Sequence, residues 1–544
     1  MSKSSGRKDS TSPSKITTPK AQSHSAAADA TFEVKENATP RWQIWIAPVV
    51  LLIAYFIAYN TVYDEKINLG GDNLFYYYLG KALATGNGFS DIMSPVSQPH
   101  NHFPPGYPFI ISLFMRIGFS GIPFFCGLNG VFGYITLVLL YFFTAKVTGD
   151  KKLGFVVAFF LALSPAFLNS AIVTMSEVPV TLFIVAAFYL MVNGKQEDGP
   201  VFRDVRFWLL LLFVIAAYYI RSSAISLVPA VICFYLFRKK WLHAGGIAVG
   251  FIAAIMPWVI RTKNLGGSSY MKQFVMKNPY RAEMGNATMS DFTTRVIENF
   301  QRYISYELPA TFLGDMFPEP ADGKVTFGYW IGGFVILGLI IYGLVRLAKK
   351  QPALVVYVLC AGGILLLWPQ VWVGGRFMVP VLPFILMLAL FSCSYLVRNG
   401  LAKMKLPWNP LILSVIALLF SVGPLTKMQA AAEEPFAMQY QNYFKTAEWA
   451  KANLPANAVI ACRKPELLYY YADRYCVPYL HDSDANKLLT DLRVKKAHYV
   501  IVDQLGFSST GRYLVPALQK YPDSFKVIYQ TPAPETFLLE YLSK

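Results

Sequence analysis

The sequence predicts a polytopic α-helical membrane protein that ends in a folded α/β domain. Three observations predict it. Hydrophobic residues make up 55% of the 544 and charged residues only 15%, whereas a soluble chain of this length would divide into several domains with charged surfaces. The apolar residues fall into repeated blocks long enough to cross a hydrocarbon core, with short polar breaks between them. After about Pro424 the pattern changes to short β-rich runs alternating with helix-like ones, as in a small α/β fold. The formal net charge of +17 does not mark a nucleic-acid partner, because Lys and Arg gather in the short breaks, as they do in cytoplasmic loops.

Taken in order, residues 1–40 are rich in Ser, Thr, Ala and Lys with almost no large apolar side chain, the composition of a disordered tail. No apolar core follows at signal-peptide distance. The first span is Trp42 to Val62, with Arg41 and Trp42 as interfacial anchors. A loop of residues 63–108 follows, and Phe109 to Phe119 is too short to cross, so it reads as an interfacial or re-entrant helix. Further spans are expected at Pro123–Thr144, Leu153–Asn169, Val178–Val192, Phe207–Ile220, Ala224–Phe237, Ala244–Ile260, Phe327–Val345, Ala353–Trp368, Phe377–Val397 and Leu411–Pro424. That makes about eleven transmembrane helices in a module of residues 41–424, with a second large loop at 262–326.

The basic loops fix an expected orientation. Gly149 to Lys152, Asn193 to Arg206, Arg238 to Lys240, Arg346 to Lys350 and Arg398 to Lys405 fall on alternate turns, so that side and the N-terminal tail are expected to be cytoplasmic. The two large loops and residues 425–544 then share the outer, extracytoplasmic face of a cytoplasmic (inner) membrane, periplasmic in a diderm bacterium.

The C-terminal part opens with an amphipathic helix, QNYFKTAEWAKANLP. The runs AVIACR, HYVIVDQ, KVIYQT and TFLLEYL read as strands, with helical segments among them, so part of the sheet is expected to be parallel. Cys126, Cys233, Cys360 and Cys393 lie in apolar blocks as small buried residues. Cys462 and Cys476 lie outside them. They are open to either of two readings, a disulfide in an oxidising compartment or two separate thiols.

Three arginines break the charge pattern by sitting at the outer ends of spans: Arg221 in YYIRSSAIS, Arg261 in PWVIRTKN and Arg376 in VWVGGRFMVP. Charge there is costly without a partner, and a guanidinium is a forked, permanent phosphate ligand. Each alone reads as a snorkelling interfacial Arg; three on one face point to a lipid-carrier phosphate. Asp72 follows Gly70-Gly71, with Tyr76 one helical turn on. Its carboxylate can serve as a general base or simply cap a helix. Glu177 in TMSEVP begins a span on the same face. His100 and His102, two histidines with no further ligands, do not define a metal site, and interfacial hydrogen bonding suits them better. The cofactor stays open: a divalent metal is compatible and none is required.

GGDNLFYYYLGKALATGNGFS followed by HFPPGYPFIISLF resembles the first outer loop of bacterial membrane glycosyltransferases of the GT-C fold, relatives of dolichyl-phosphate-mannose protein mannosyltransferases and of the lipid A aminoarabinose transferase. The resemblance continues through SEVP, YYIRSS, PWVIRTKN, GGRFMVPVLPF and AEWAKANLPANAVIACRKPELLYYYADRYCVPY, and so covers nearly the whole chain after the tail. It implies transfer of a sugar from a polyprenyl phosphate carrier on the outer face, with Asp72 at the active centre. It also implies Arg221, Arg261 and Arg376 near the donor phosphate. Tyr76, His102 and Glu177 are the residues expected to bind substrate beside them. Those relatives commonly carry a second acidic residue after the loop Asp; here it is Asn73. The expected partners are a polyprenyl-phosphate sugar, membrane lipid and a glycan, lipid or protein acceptor. The rival classes are a lipid-carrier flippase or transporter, expected to show mid-membrane ionisable groups and internal repeats, and an oligosaccharide polymerase or ligase.

Overall fold

The computed structural model describes residues 44–194, 200–314, 325–372 and 374–542. The tail of residues 1–40 and the anchors Arg41 and Trp42 lie outside the described residues. The chain is a multi-pass helical membrane protein. Among the described residues, five helices are long and apolar enough to cross a membrane, a sixth candidate is a bent pair, and five further apolar helices are of 10–17 residues. These segments overlap the apolar blocks, with shifted ends: the span expected at Phe377–Val397 is Leu382–Lys403, after a separate short helix Gly375–Met378, and the one expected at Leu411–Pro424 continues to Glu433. Ile46–Val62, Ile122–Thr148, Glu177–Asn193 and Val205–Ile220 come first. Leu227–Phe237, Trp241–Asn264, Phe327–Leu347, Pro352–Leu367, Leu382–Lys403 and Ile412–Glu433 follow.

One expected span is divided. Lys151–Ala162 and Pro165–Ala171 meet at 62°, where the sequence predicted one continuous segment from Leu153 to Asn169. Pro165 supplies the reason: a proline disfavours helical backbone at the residue before it and has no N–H to continue the ladder, and Ser164 is extended with ψ 122°. A second span runs longer than expected, since the helix predicted to end at Ile260 continues to Asn264. That extension carries Arg261 inside the last turn.

The first loop folds into a helix, Asp72–Ala84, a short antiparallel pair of β1 (Ser90–Asp91) and β2 (Gln98–Pro99), and the short helix Gly106–Arg116. The second loop carries helices Ser269–Val275 and Met289–Arg302. Thr288 and Asp291 close a capping box at the start of the latter. From it, Arg295 Nη1 donates to the Phe274 carbonyl at 2.8 Å and Asn299 Nδ2 to that of Trp368 at 2.8 Å, so one amphipathic helix ties the second loop to the end of a span.

The C-terminal region begins with helix Met438–Asn453 and forms a five-stranded sheet from β3 (Val459–Cys462), β4 (Tyr475–Pro478), β5 (Tyr499–Val502), β6 (Phe525–Gln530) and β7 (Phe537–Tyr541). Its order is β4-β3-β5-β7-β6. β3 pairs parallel with β4 and β5, and the remaining pairings are antiparallel. One face of this sheet does not pack on its own domain alone. Leu74, Tyr78 and Met93 of the first loop share a core with Tyr443, Ile460, Cys462, Leu467 and Cys476, a burial that stabilises the contact by roughly 1.5–3 kcal/mol per large side chain. The N–H of Cys476 donates to the Met93 carbonyl at 2.8 Å, which covers the edge of β4. Cys462 and Cys476 are free, buried thiols in the structure. They stand on the neighbouring strands β3 and β4, Cys476 opposite Ile460 and Cys462 opposite Pro478.

Candidate active site

A cavity of about 270 Å³ opens where both loops and two interhelical turns meet. Its floor is built by the first loop. Gly71 has φ +95°, a conformation that favours glycine, and this turn starts the helix at Asp72. The capping role falls to the neighbour, since Asn73 Oδ1 accepts from the Gly71 N–H at 3.2 Å and Asp72 makes no cap hydrogen bond. The Asp72 carboxylate is therefore left to face the cavity, in the first turn where the helix dipole favours negative charge. Across from it stands Arg376, whose Nη2 lies 3.3 Å from Asp72 Oδ2. Both side chains are solvent-accessible.

Behind this pair is a buried polar network. Arg221 Nη1 donates to Glu177 Oε1 at 3.1 Å and to Ser176 Oγ at 3.0 Å; the Tyr76 hydroxyl meets the same Ser176 oxygen at 3.0 Å. Glu177 is 1% exposed, so Arg221 supplies the countercharge without which a buried carboxylate would be very costly. Its guanidinium also lies 5.5 Å over the Phe377 ring. His102 completes this wall, its Nδ1 3.1 Å from Ser269 Oγ. Burial pushes its imidazole below the ordinary range, with Asp72 pulling the other way, and it pushes His100 down to about 3. Both rings are therefore neutral near pH 7, one nitrogen a donor and the other an acceptor.

Of the residues singled out from sequence, Asp72, Tyr76, His102, Arg221 and Arg376 line the cavity, and Glu177 supports it through Arg221. Arg261 is placed elsewhere. Its Nη1 donates to the His100 carbonyl at 2.7 Å and its Nη2 to that of Phe89 at 3.0 Å, with Phe89 and Trp258 rings against the guanidinium. Arg261 thus fastens the first loop and is not among the residues lining the cavity. The loop carbonyls it serves leave no sequence signal.

Sequence reasoning missed the opposite wall, Tyr270, Gln273, Tyr280 and Trp372. Tyr270 stacks on Trp372 at 5.6 Å, and the Trp372 indole N–H donates to the Tyr280 hydroxyl at 3.2 Å. In so aromatic a chain, those residues carry no mark of their own. It also missed Lys464 and Glu466 of the C-terminal region. Lys464 Nζ donates to the Gly70 carbonyl at 2.8 Å and pairs with buried Glu466 at 3.4 Å. A Cβ on Gly71 would sit 2.1 Å from Glu466 Oε1. The turn that presents Asp72 is therefore clamped from the far end of the chain. Among the described residues no group of three or more His, Cys, Asp or Glu gathers at metal-ligand distance.

A carboxylate, two guanidiniums, neutral imidazole and an aromatic wall at one end of a helical bundle can bind a phosphate and a polar ring together and accept a proton beside them. Known proteins share this architecture. Residues 102–260 match the family model described as dolichyl-phosphate-mannose-protein mannosyltransferase. The structure is similar to ArnT from Cupriavidus metallidurans bound to undecaprenyl phosphate, with 11% identity over 92% of this chain and 98% of that one and a TM-score of 0.55. It is similar to the same degree to the oligosaccharyltransferase of Archaeoglobus fulgidus tethered with an acceptor peptide, at 14% identity over 92% of this chain and 74% of that one, TM-score 0.55. No curated protein matches the sequence significantly. The chain has the GT-C fold of the membrane glycosyltransferases, with an α/β region at its C-terminal end.

Proposed function

We propose that the protein is a glycosyltransferase that moves a sugar from a polyprenyl-phosphate donor to an acceptor on the outer face of the cytoplasmic membrane. The observation that carries this reading is the Asp72–Arg376 pair at a cavity walled by aromatics. A donor phosphate entering the cavity competes with Asp72 for Arg376, and Arg221 adds a second positive group behind it. Drawing Arg376 onto the phosphate releases the Asp72 carboxylate. The acceptor hydroxyl or amine then attacks the anomeric carbon, Asp72 takes its proton, and the bond to the phosphate oxygen breaks with its electrons. The leaving phosphate carries its charge against the arginines. Attack opposite the leaving group inverts the anomeric centre. Tyr76 and His102 offer hydrogen bonds to the sugar, and Tyr270 and Trp372 offer flat faces to it. The family match and the undecaprenyl phosphate bound by the similar ArnT support this choice of donor.

The test is a transfer assay in proteoliposomes loaded with a panel of radiolabelled polyprenyl-phosphate hexoses and pentoses. Release of polyprenyl phosphate by the wild-type protein, abolished in Asp72→Asn, is the expected result. A folded Asp72→Asn protein that turns over at the wild-type rate would overturn the role of Asp72. Sugar movement across the bilayer with the donor bond intact would replace the transferase reading with a transporter.

A further inference from the structure

The C-terminal sheet carries buried polar groups that the Asp72 cavity does not use. From β3 the chain passes to helix Pro465–Ala472 on one face of the sheet. From β5 it passes to Leu514 and Ala517, which pack on the other face with helix Ala485–Val494. β3 and β5 are parallel neighbours, so they flank a topological switch point, where open α/β sheets form a crevice beyond the carboxyl ends of their strands. The first residues beyond those two ends are Arg463 and Asp503.

Both hold atoms with nothing to bond. Asp503 is 4% exposed. Its Oδ1 accepts from the Leu505 N–H at 3.2 Å and the Thr510 hydroxyl at 3.5 Å, while its Oδ2 is buried without a partner. The Arg463 guanidinium lies 4.5 Å over the Phe507 ring, and its Nε is also buried without a partner. Burial raises the Asp503 carboxyl to about 6 against the opposing pull of Arg463, so the two sense each other yet form no ion pair. Tyr479 meets Thr510 beside them at 3.0 Å. Half-buried His481 stacks on Tyr513 with ring centres 5.6 Å apart.

The chemistry of the orphaned atoms narrows what fits. The carboxylate oxygen only accepts and the guanidinium N–H only donates. An anion would be repelled by Asp503, a cation by Arg463, and an apolar group would leave both unsatisfied at a cost. Neighbouring hydroxyls donate and accept at once, and the half-buried His481 ring, backed by buried Tyr513, offers a flat face of the kind a sugar ring covers with its C–H face. We propose that this switch-point crevice binds a carbohydrate and serves as the acceptor-recognition subsite. The second half of that statement rests on the transferase reading. Two segments join the crevice to the Asp72 cavity. Lys464, next to Arg463, donates to Gly70. Glu283 accepts from the Tyr513 hydroxyl at 3.0 Å, a few residues on from Tyr280 of the cavity wall.

The experiment uses the detergent-solubilised full chain and methyl glycosides of glucose, galactose, mannose and N-acetylglucosamine, with binding followed by saturation-transfer NMR. At least one glycoside is expected to bind wild type and Asp72→Asn alike. Its affinity is expected to fall by about tenfold or more in Asp503→Asn and in Arg463→Gln, two variants whose melting reports whether each is folded. Absence of binding by the whole panel, or binding indifferent to both variants, overturns the proposal. So does binding lost in Asp72→Asn, which would move the sugar to the other cavity. A serine-containing peptide that binds in an Asp503-dependent way where glycosides do not would assign the crevice to protein acceptors and overturn it too. Asp503-dependent glycoside binding by a chain without transfer activity would sink the transferase reading alone.

Discussion

Arg376 Nη2 stands 3.3 Å from Asp72 Oδ2, although 304 residues separate the two in sequence. Both are accessible, so the pair contributes little to folding, about 0–1 kcal/mol. Its effect is expected in catalysis. Asp72→Asn should lower the transfer rate by about 10²–10⁴-fold, the range of a lost general base, while the melting temperature stays within a few degrees. Single-turnover kinetics in proteoliposomes, paired with thermal unfolding, check both halves.

Glu177 and Arg221 behave in the opposite way, because Glu177 is 1% exposed. Removing one partner leaves an uncompensated buried charge, and Glu177→Ala is expected to cost about 3–5 kcal/mol. The double variant Glu177→Leu with Arg221→Met should recover much of that stability and no activity. Unfolding in detergent, compared with transfer rates, separates the two effects.

Arg261 and Arg376 share a sequence signal and are expected to differ in the test tube. Arg261→Ala removes two hydrogen bonds to loop carbonyls, about 1–3 kcal/mol of stability, and should speed proteolysis of the first loop. Arg376→Ala should leave the loop intact and raise the donor KM. Limited proteolysis and donor titration distinguish them.

Gly71→Ala places a methyl group against Glu466 Oε1 at 2.1 Å and forces a side chain into φ +95°. The strain alone is about 1–3 kcal/mol. Glu466→Ala in the same chain relieves the clash but not the backbone, so activity should return only in part.

Asp503 sets a pH dependence. Its carboxyl is raised from 3.8 to about 6 by burial, so the folded state binds more protons than the unfolded one between those values. The stability this contributes is complete below about pH 4 and is lost as pH rises through 6. Asp503→Asn should melt higher than wild type at pH 8, by roughly 2–3 kcal/mol, and the gap should close near pH 4.

The legible part of the site consists of residues that break a local rule. Asp72 after two glycines, and Arg221 and Arg376 at the ends of apolar segments, stand out because charge there is costly without a purpose. The helices were legible because their length is set by the hydrocarbon core, whereas the break at Pro165 lies inside what reads as one continuous apolar block, although a proline disfavours helical backbone before it. Arg261 shows the limit. The same rule flagged it, but its partners are backbone carbonyls, which every residue possesses. Tyr270 and Trp372 could not be told from other aromatics, and the Lys464–Gly70 bond joins residues 394 apart. Long-range contacts of that kind are made by tertiary packing and leave no local pattern.

That last bond has a consequence for how the molecule is made. A ribosome emits Gly70 and Gly71 early and Lys464 and Glu466 near the end, so the nascent chain carries an unclamped Asp72 turn through most of its synthesis. The contact that holds this turn forms only once the C-terminal region has been made and has docked on the first loop. A chain interrupted before residue 464 carries the Asp72 turn without the Lys464 and Glu466 contacts that fix it.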